Sequence, residues 1–146
     1  MGKTGVQVSA LGFGCMRLPV LSGKTRADID EAQAIGMIRS AIDAGLNYVD
    51  TAYMYHDQES ERLLGKALQD GYRDKVYLAT KSPLGSINTV EDFDRILEEQ
   101  LRKLNTAHID FYMFHGIGRD RWRQTVLPLG LEERMLQARA AGKIRY

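Results

Sequence analysis

The chain has 146 residues, 44% of them hydrophobic and 27% charged, with a formal net charge of +1; this predicts one domain of ordinary soluble composition, with no basic stripe for nucleic acid or a membrane surface. Its one cysteine, Cys15, excludes an internal disulfide and any metal site built from several cysteines. The opening MGKTGVQVSA has no apolar core of signal-peptide length, and no later apolar run approaches a membrane span, so a cytoplasmic location is expected.

Short β-rich runs alternate with longer runs of helical period, the pattern of repeated βα units on a parallel sheet. Gly2-Lys3-Thr4-Gly5 is a turn signal, and residues 6–10 suit one strand of a hairpin. Leu11-Gly12-Phe13-Gly14 reads as the first sheet strand, with small residues that let a ligand approach the backbone. Residues 18–26, with Pro19 and Gly23, read as a loop. Over residues 28–44 the apolar positions Ile35, Ile38 and Ile42 share a helical face, and Gly45 ends the helix.

Tyr48-Val49-Asp50 is a short strand, followed by a helix over residues 60–69 with Leu63, Leu64, Ala67 and Leu68 inward and Gly71 as its stop. Residues 76–80 form the next strand. Thr89-Val90-Glu91-Asp92 has the hydroxyl-then-carboxylate spacing of a capping box, and Phe93, Ile96, Leu97, Leu101 and Leu104 follow at helical spacing. Residues 109–114 are a strongly apolar strand, residues 131–141 a fourth helix stopped by Gly142, and residues 143–146 the start of a fifth strand. A closed eight-stranded barrel takes ~250 residues. Four βα units plus a stub therefore suit an open parallel sheet or half of a barrel, and the stub favours the half barrel. Such a piece would leave sheet edges open to self-association, and a truncated gene, a fragment or a chain that needs a partner is expected.

Three predicted strands are closed by ionisable residues: Asp50, Lys81 and His115. Tyr55 lies in the loop after Asp50. In a parallel α/β sheet these ends lie side by side, on the rim where active sites are built. The four types fit one task. A carbonyl that receives hydride needs a proton as its oxygen becomes an alkoxide, and a tyrosine can give one if an ammonium stabilises the phenolate left behind. At ~4 Å and an effective dielectric of 20 that attraction is about 4 kcal/mol, opposed by burial of the phenol. Lys81 would supply the ammonium, Asp50 would hold it, and His115 would hydrogen-bond to the substrate oxygen.

Each residue has a plainer role open to it: Asp50 as a cap, Lys81 as a solvated loop residue, His115 as a satisfied core histidine, Tyr55 as a packing aromatic. Their convergence on one rim favours the chemical role. Cys15 either lines the site or is a small buried residue. His56 is expected to be exposed and His108 to lie on the surface. Arg119, Arg121 and Arg123 around Trp122 read as a solvated loop. Gly12-Phe13-Gly14 lacks the third glycine of a dinucleotide fingerprint. No histidine pair has metal-ligand spacing, so no metal is expected.

Several stretches resemble the aldo-keto reductases: Leu11-Gly12-Phe13-Gly14-Cys15-Met16-Arg17-Leu18-Pro19, Gly45-Leu46-Asn47-Tyr48-Val49-Asp50-Thr51-Ala52-Tyr53-Met54-Tyr55, Ser60-Glu61, Leu64-Gly65-Lys66-Ala67-Leu68, Ala79-Thr80-Lys81 and Ile109-Asp110-Phe111-Tyr112-Met113-Phe114-His115. They run in family order along essentially the whole chain. The resemblance implies the N-terminal half of a (β/α)8 TIM-type barrel that reduces aldehydes and ketones with NADPH, or sometimes NADH. It places the catalytic tetrad on Asp50, Tyr55, Lys81 and His115, with Tyr55 as proton donor, and the nicotinamide near Gly14, Cys15, Met16 and Asp50. The opening is similar to a microbial subgroup whose members often carry a C-terminal iron–sulfur module; no such cluster is expected within this chain.

Asp57-Gln58 stands where the family often has glycines, and a local loop effect is expected. The family's first hairpin strand and everything from the fifth strand on, including the residues that hold the nicotinamide amide and the adenosine phosphates, are expected to be missing from these 146 residues. The expected function is therefore NAD(P)H-dependent carbonyl reduction. An inactive fragment and a non-catalytic interaction module lacking the cofactor-phosphate site are the alternatives.

Overall fold

The computed structural model describes residues 1–146. Four strands, β1 (Phe13–Gly14), β2 (Tyr48–Asp50), β3 (Tyr77–Pro83) and β4 (Phe111–His115), form one sheet in chain order with every neighbour parallel. Helices α1 (Glu31–Asp43), α2 (Ser60–Ala67) and α3 (Val90–Leu104) follow the first three strands. After β4 come a single turn α4 (Arg119–Arg121), a π-helical stretch (Trp122–Val126) and α5 (Leu131–Ala140). Parallel strands in sequence order with a helix after each are the first half of a (β/α)8 barrel. No helix is long and apolar enough to cross a membrane.

Local signals explain the helix ends. The Asp30 carboxylate accepts from the Gln33 N–H and starts α1. At α3 the Thr89 hydroxyl accepts from the Asp92 N–H while the Asp92 carboxylate accepts from the Thr89 N–H, so both bonds of the expected capping box form. The face that α1 buries runs through Ala34, Ile38 and Ile42; Ile35, assigned to it from the sequence, is only half-buried. From α3, Phe93, Ile96, Leu97, Leu101 and Leu104 enter a core of 27 buried residues with Leu64, Leu78, Ile109 and Leu131.

Contact between α2 and α3 is close enough to need a glycine. A Cβ on Gly65 would lie 2.5 Å from the Lys103 carbonyl oxygen and 2.9 Å from the Leu104 carbonyl carbon. These are backbone atoms and cannot swing aside. We expect Gly65→Ala to lower stability by about 1–3 kcal/mol, although alanine is the better helix former by ~1 kcal/mol. Urea unfolding checks this; a variant as stable as the parent would mean that α2 can move off α3 freely.

Several strand limits differ from those read in the sequence. Residues 6–10 form no strand. Val6 instead packs with Ala79 and Phe111 against Val8, Tyr48 and Tyr77 on the inner face of the sheet. The segment is tied by side chains, Ser9 N–H to Asn47 Oδ1 (2.7 Å) and Asn47 N–H to Ser9 Oγ (3.1 Å). β3 starts at Tyr77 and continues to Pro83, so Lys81 lies within the strand, not after it. β4 runs from Phe111 to His115 and likewise includes its histidine. The arginines around Trp122 lie in helical turns, not in an irregular loop.

Where a fifth strand was expected, the chain forms a single isolated bridge beside β4. Ile144 pairs parallel with Ile109, and the Tyr146 N–H donates to the Asp110 carbonyl at 2.9 Å. Beneath it the Asp110 carboxylate, 1% exposed, accepts from Arg73 (2.7 Å), Arg145 (3.0 Å) and the Leu78 N–H (2.9 Å). His108, expected on the surface, is half-buried here. Arg73 donates to its Nε2 at 3.1 Å, and burial, with the Arg73 charge, lowers its pKa.

Candidate active site

The sheet register gathers the candidates. Asp50 pairs with Ala79, and Lys81 lies two residues further along β3 on the same inner face. Lys81 pairs with Met113, and His115 lies two residues beyond that on β4. Asp50, Lys81 and His115 therefore lie toward the C-terminal ends of three adjacent strands, on one rim.

The Lys81 ammonium is enclosed by acceptors. Its Nζ donates to both Asp50 carboxylate oxygens (2.6 and 2.8 Å), to the Thr51 carbonyl (2.7 Å) and to the Tyr55 hydroxyl oxygen (3.4 Å). The ion pair is largely shielded, with side-chain exposures of 16% for Lys81 and 28% for Asp50. The His115 ring meets the Tyr55 ring edge-on, with centroids 5.8 Å apart. Burial first, and then the Lys81 charge, lower the His115 pKa, while Asp50 works the other way. The net effect favours the neutral imidazole. The structure thus brings all four predicted residues together.

The loop that presents Tyr55 is held under strain. His56, Asp57 and Gln58 all have left-handed backbone, with φ of 53°, 52° and 77°. Such residues cost on the order of 1–3 kcal/mol each unless their surroundings hold them. His56 is the clamp. It is buried, contrary to the expected exposure. Its Nε2 accepts from the Leu18 N–H (3.0 Å), which leaves the proton on Nδ1 to be donated to the Arg26 carbonyl (2.7 Å). The glycine-free Asp57-Gln58 step is therefore part of a strained turn directly behind Tyr55. Nothing in the hydrophobic pattern marks His56 for this role; only its place beside Tyr55 does.

At the end of β1, Gly14 pairs with Asp50, and a Cβ on Gly14 would meet nothing within 4 Å. Bare backbone beside Asp50 leaves room for a flat ring, and Met16 stands exposed next to it. Cys15 is different. Its side chain is fully buried in the core, so only its backbone is available to the rim. Burial, reinforced by Asp50 and opposed by Lys81, pushes its thiol up to about 12. We expect iodoacetamide at neutral pH to leave Cys15 unmodified in the folded chain and to modify it on unfolding, as followed by mass spectrometry. Rapid modification of the native chain would contradict this burial.

Residues not singled out from the sequence also bear on the site. The Thr51 carbonyl is one of the Lys81 acceptors, and Ser60, Glu61 and Gln100 are buried polar groups close behind the rim. A surface groove of about 550 Å³ lies elsewhere, between Glu98, Arg102, Asn105 and Lys143 on the helical side, and holds no reactive cluster.

Comparison with known proteins matches residues 10–146 to the model of the aldo/keto reductase family. The chain is 35% identical over 154 residues to aldo-keto reductase YhdN of Bacillus subtilis (strain 168), covering 99% of this chain and 44% of that protein. Aldo-keto reductase AKR11C1 from Bacillus halodurans, in its holo form, superposes with a TM-score of 0.78 at 30% identity, over 99% of this chain and 47% of that one. An aldo-keto reductase from Klebsiella pneumoniae in complex with NADPH gives a TM-score of 0.77 at 31% identity, over 94% and 44% of the two chains. The chain spans about half the length of these relatives.

Proposed function

The chain belongs to the aldo/keto reductase family, and from that premise we propose that it carries the proton-delivering part of an NAD(P)H-dependent reductase of aldehydes or ketones, with Tyr55 as the donor. One observation carries this reading: the Lys81 ammonium bridges the Asp50 carboxylate and the Tyr55 hydroxyl, at 2.6 and 3.4 Å, with His115 against the same phenol ring. Tyr55 gives its proton to the carbonyl oxygen as that oxygen gains charge. Lys81 stabilises the phenolate that remains, and Asp50 with the Thr51 carbonyl holds Lys81 in place. His115, favoured as the neutral ring, donates a hydrogen bond to the same oxygen.

A nicotinamide would rest over Gly14 beside Asp50 and Met16, and when bound it supplies the hydride. The open backbone at Gly14 fits a ring lying there. NADPH is the favoured cofactor, with NADH as the alternative; the Klebsiella pneumoniae relative binds NADPH. Cys15 alone cannot ligate an iron–sulfur cluster, so no such cofactor is assigned to these residues. We place the activity on a small-molecule carbonyl substrate, in the cytoplasm, with residues 1–146 acting as one domain.

The test is a fluorescence titration of NADPH with the chain, followed by aldehyde-dependent loss of NADPH absorbance. Binding with turnover supports a working reductase. Absence of binding at millimolar NADPH would reject catalysis by this chain alone, leaving the inactive fragment or the interaction module. His115 adds a pH dependence. Its lowered pKa keeps the ring neutral down to below the ordinary histidine range, so the His115 contribution should hold through neutrality and be lost on the acid side, as the imidazolium forms.

A further inference from the structure

A second polar cluster lies behind the rim, on the helix-facing side of the sheet. Along β3, Lys81 projects to the inner face, while Thr80 projects toward α2 and α3. There the Thr80 hydroxyl donates to Glu61 Oε1 (2.7 Å), and the Gln100 amide donates to the same oxygen (2.6 Å) and to the Lys81 carbonyl (3.1 Å). The Tyr112 hydroxyl closes the cluster by donating to Gln100 Oε1 at 2.7 Å. Glu61, Thr80 and Gln100 are each 0% exposed.

The neighbouring residue, Ser60, makes a parallel set of links. Its hydroxyl donates to the Cys15 carbonyl (2.9 Å) and receives the Thr51 hydroxyl (2.9 Å). The Thr51 carbonyl in turn accepts from Lys81 Nζ. The first turn of α2 is therefore bonded to the residues just after β1 and β2 and to the middle of β3 at once.

Burying a carboxyl group at a helix–sheet seam is costly, and an apolar side chain would fill the same space without that cost. Burial raises the Glu61 pKa against the Thr80 and Gln100 bonds that lower it, which favours the neutral acid. What the cluster achieves lies in where its bonds end: on Thr80 and on the Lys81 main chain. We propose that Glu61 and Gln100 are positioning residues for Lys81, fixing the stretch of β3 from which its ammonium reaches Asp50 and Tyr55. This rests on the reading of Lys81 as the ammonium of the proton relay.

His115 reports where that ammonium is. It faces Lys81, Asp50 and Tyr55, and the Lys81 charge disfavours its protonation. Moving or removing the cation must therefore raise its titration midpoint. The chain has three histidines, which NMR can follow individually against pH. Lys81→Met is expected to raise the His115 midpoint. Glu61→Leu and Gln100→Leu are expected to raise it toward the Lys81→Met value, and Glu61→Gln, which keeps the acceptor oxygen, is expected to leave it as in the parent. His108, at the opposite strand ends beside Arg73 and Asp110, should keep its midpoint throughout and so marks an intact fold. If Glu61→Leu does not fold, Gln100→Leu and Thr80→Val carry the test. An unchanged His115 in the folded variants, with a raised midpoint in Lys81→Met, overturns the positioning role and leaves the relay standing. An unchanged His115 in Lys81→Met overturns the relay itself.

Discussion

Replacing Tyr55 with phenylalanine is expected to lower kcat for carbonyl reduction by about 10²–10⁴-fold, the usual contribution of a positioned general acid. The substitution removes one hydroxyl and keeps the ring that meets His115 edge-on. Lys81 retains both Asp50 oxygens and the Thr51 carbonyl as acceptors, so the ion pair survives the change. Stability should hardly move, because the lost contact is the long 3.4 Å bond from Lys81. Cofactor binding should likewise persist, since Gly14 and Met16 are untouched. Initial rates of aldehyde-dependent NADPH consumption, compared at saturating substrate, read the effect. A loss of less than tenfold would mean that the proton reaches the carbonyl oxygen from another group.

The second large effect concerns stability. Asp110→Ala is expected to cost about 3–5 kcal/mol, because it removes the buried carboxylate that pairs with the half-buried Arg73. Arg73, 18% exposed, would keep its charge against the sheet without the carboxylate that meets it at 2.7 Å. The buried Leu78 N–H would also lose its acceptor, a penalty of roughly 1–3 kcal/mol within that total. Arg145 matters less, since its side chain is 54% exposed and water can solvate it. Urea unfolding monitored by circular dichroism gives the difference. A change under about 1 kcal/mol would show that water and the Thr106, Val76 and His108 acceptors suffice for Arg73.

What the sequence made legible follows from how local each signal is. Tyr48-Val49-Asp50 is the strand read from the sequence, and the Thr89–Asp92 capping box forms with both its bonds. Each depends on residues within a few positions of one another. The strand limits were harder. Lys81 and His115 look like residues that follow strands, because a charge or an imidazole interrupts an apolar run. They lie inside β3 and β4 because their side chains point to an open rim while their backbones pair. The buried polar groups were not legible at all. Glu61 and Gln100 look like surface residues of amphipathic helices, and only the bonds that α2 and α3 make to each other and to β3, 19 to 39 positions apart in the chain, reveal their burial. His56 escaped for the same reason, since its two bonds reach back 30 and 38 residues.

The convergence of Asp50, Tyr55, Lys81 and His115 was legible because Asp50, Lys81 and His115 lie toward the C-terminal ends of three neighbouring strands, with Tyr55 in the loop that follows Asp50, and parallel topology brings those ends together. It is also the claim on which the functional reading turns. A crystal structure of the chain with NADPH and a carbonyl compound or its unreactive analogue tests it most directly. The expected result is a ligand oxygen within ~2.6–3.2 Å of the Tyr55 hydroxyl, with the His115 ring nitrogen at hydrogen-bond distance from the same atom. A ligand oxygen held by other groups, with Tyr55 and His115 both out of reach, would contradict the account.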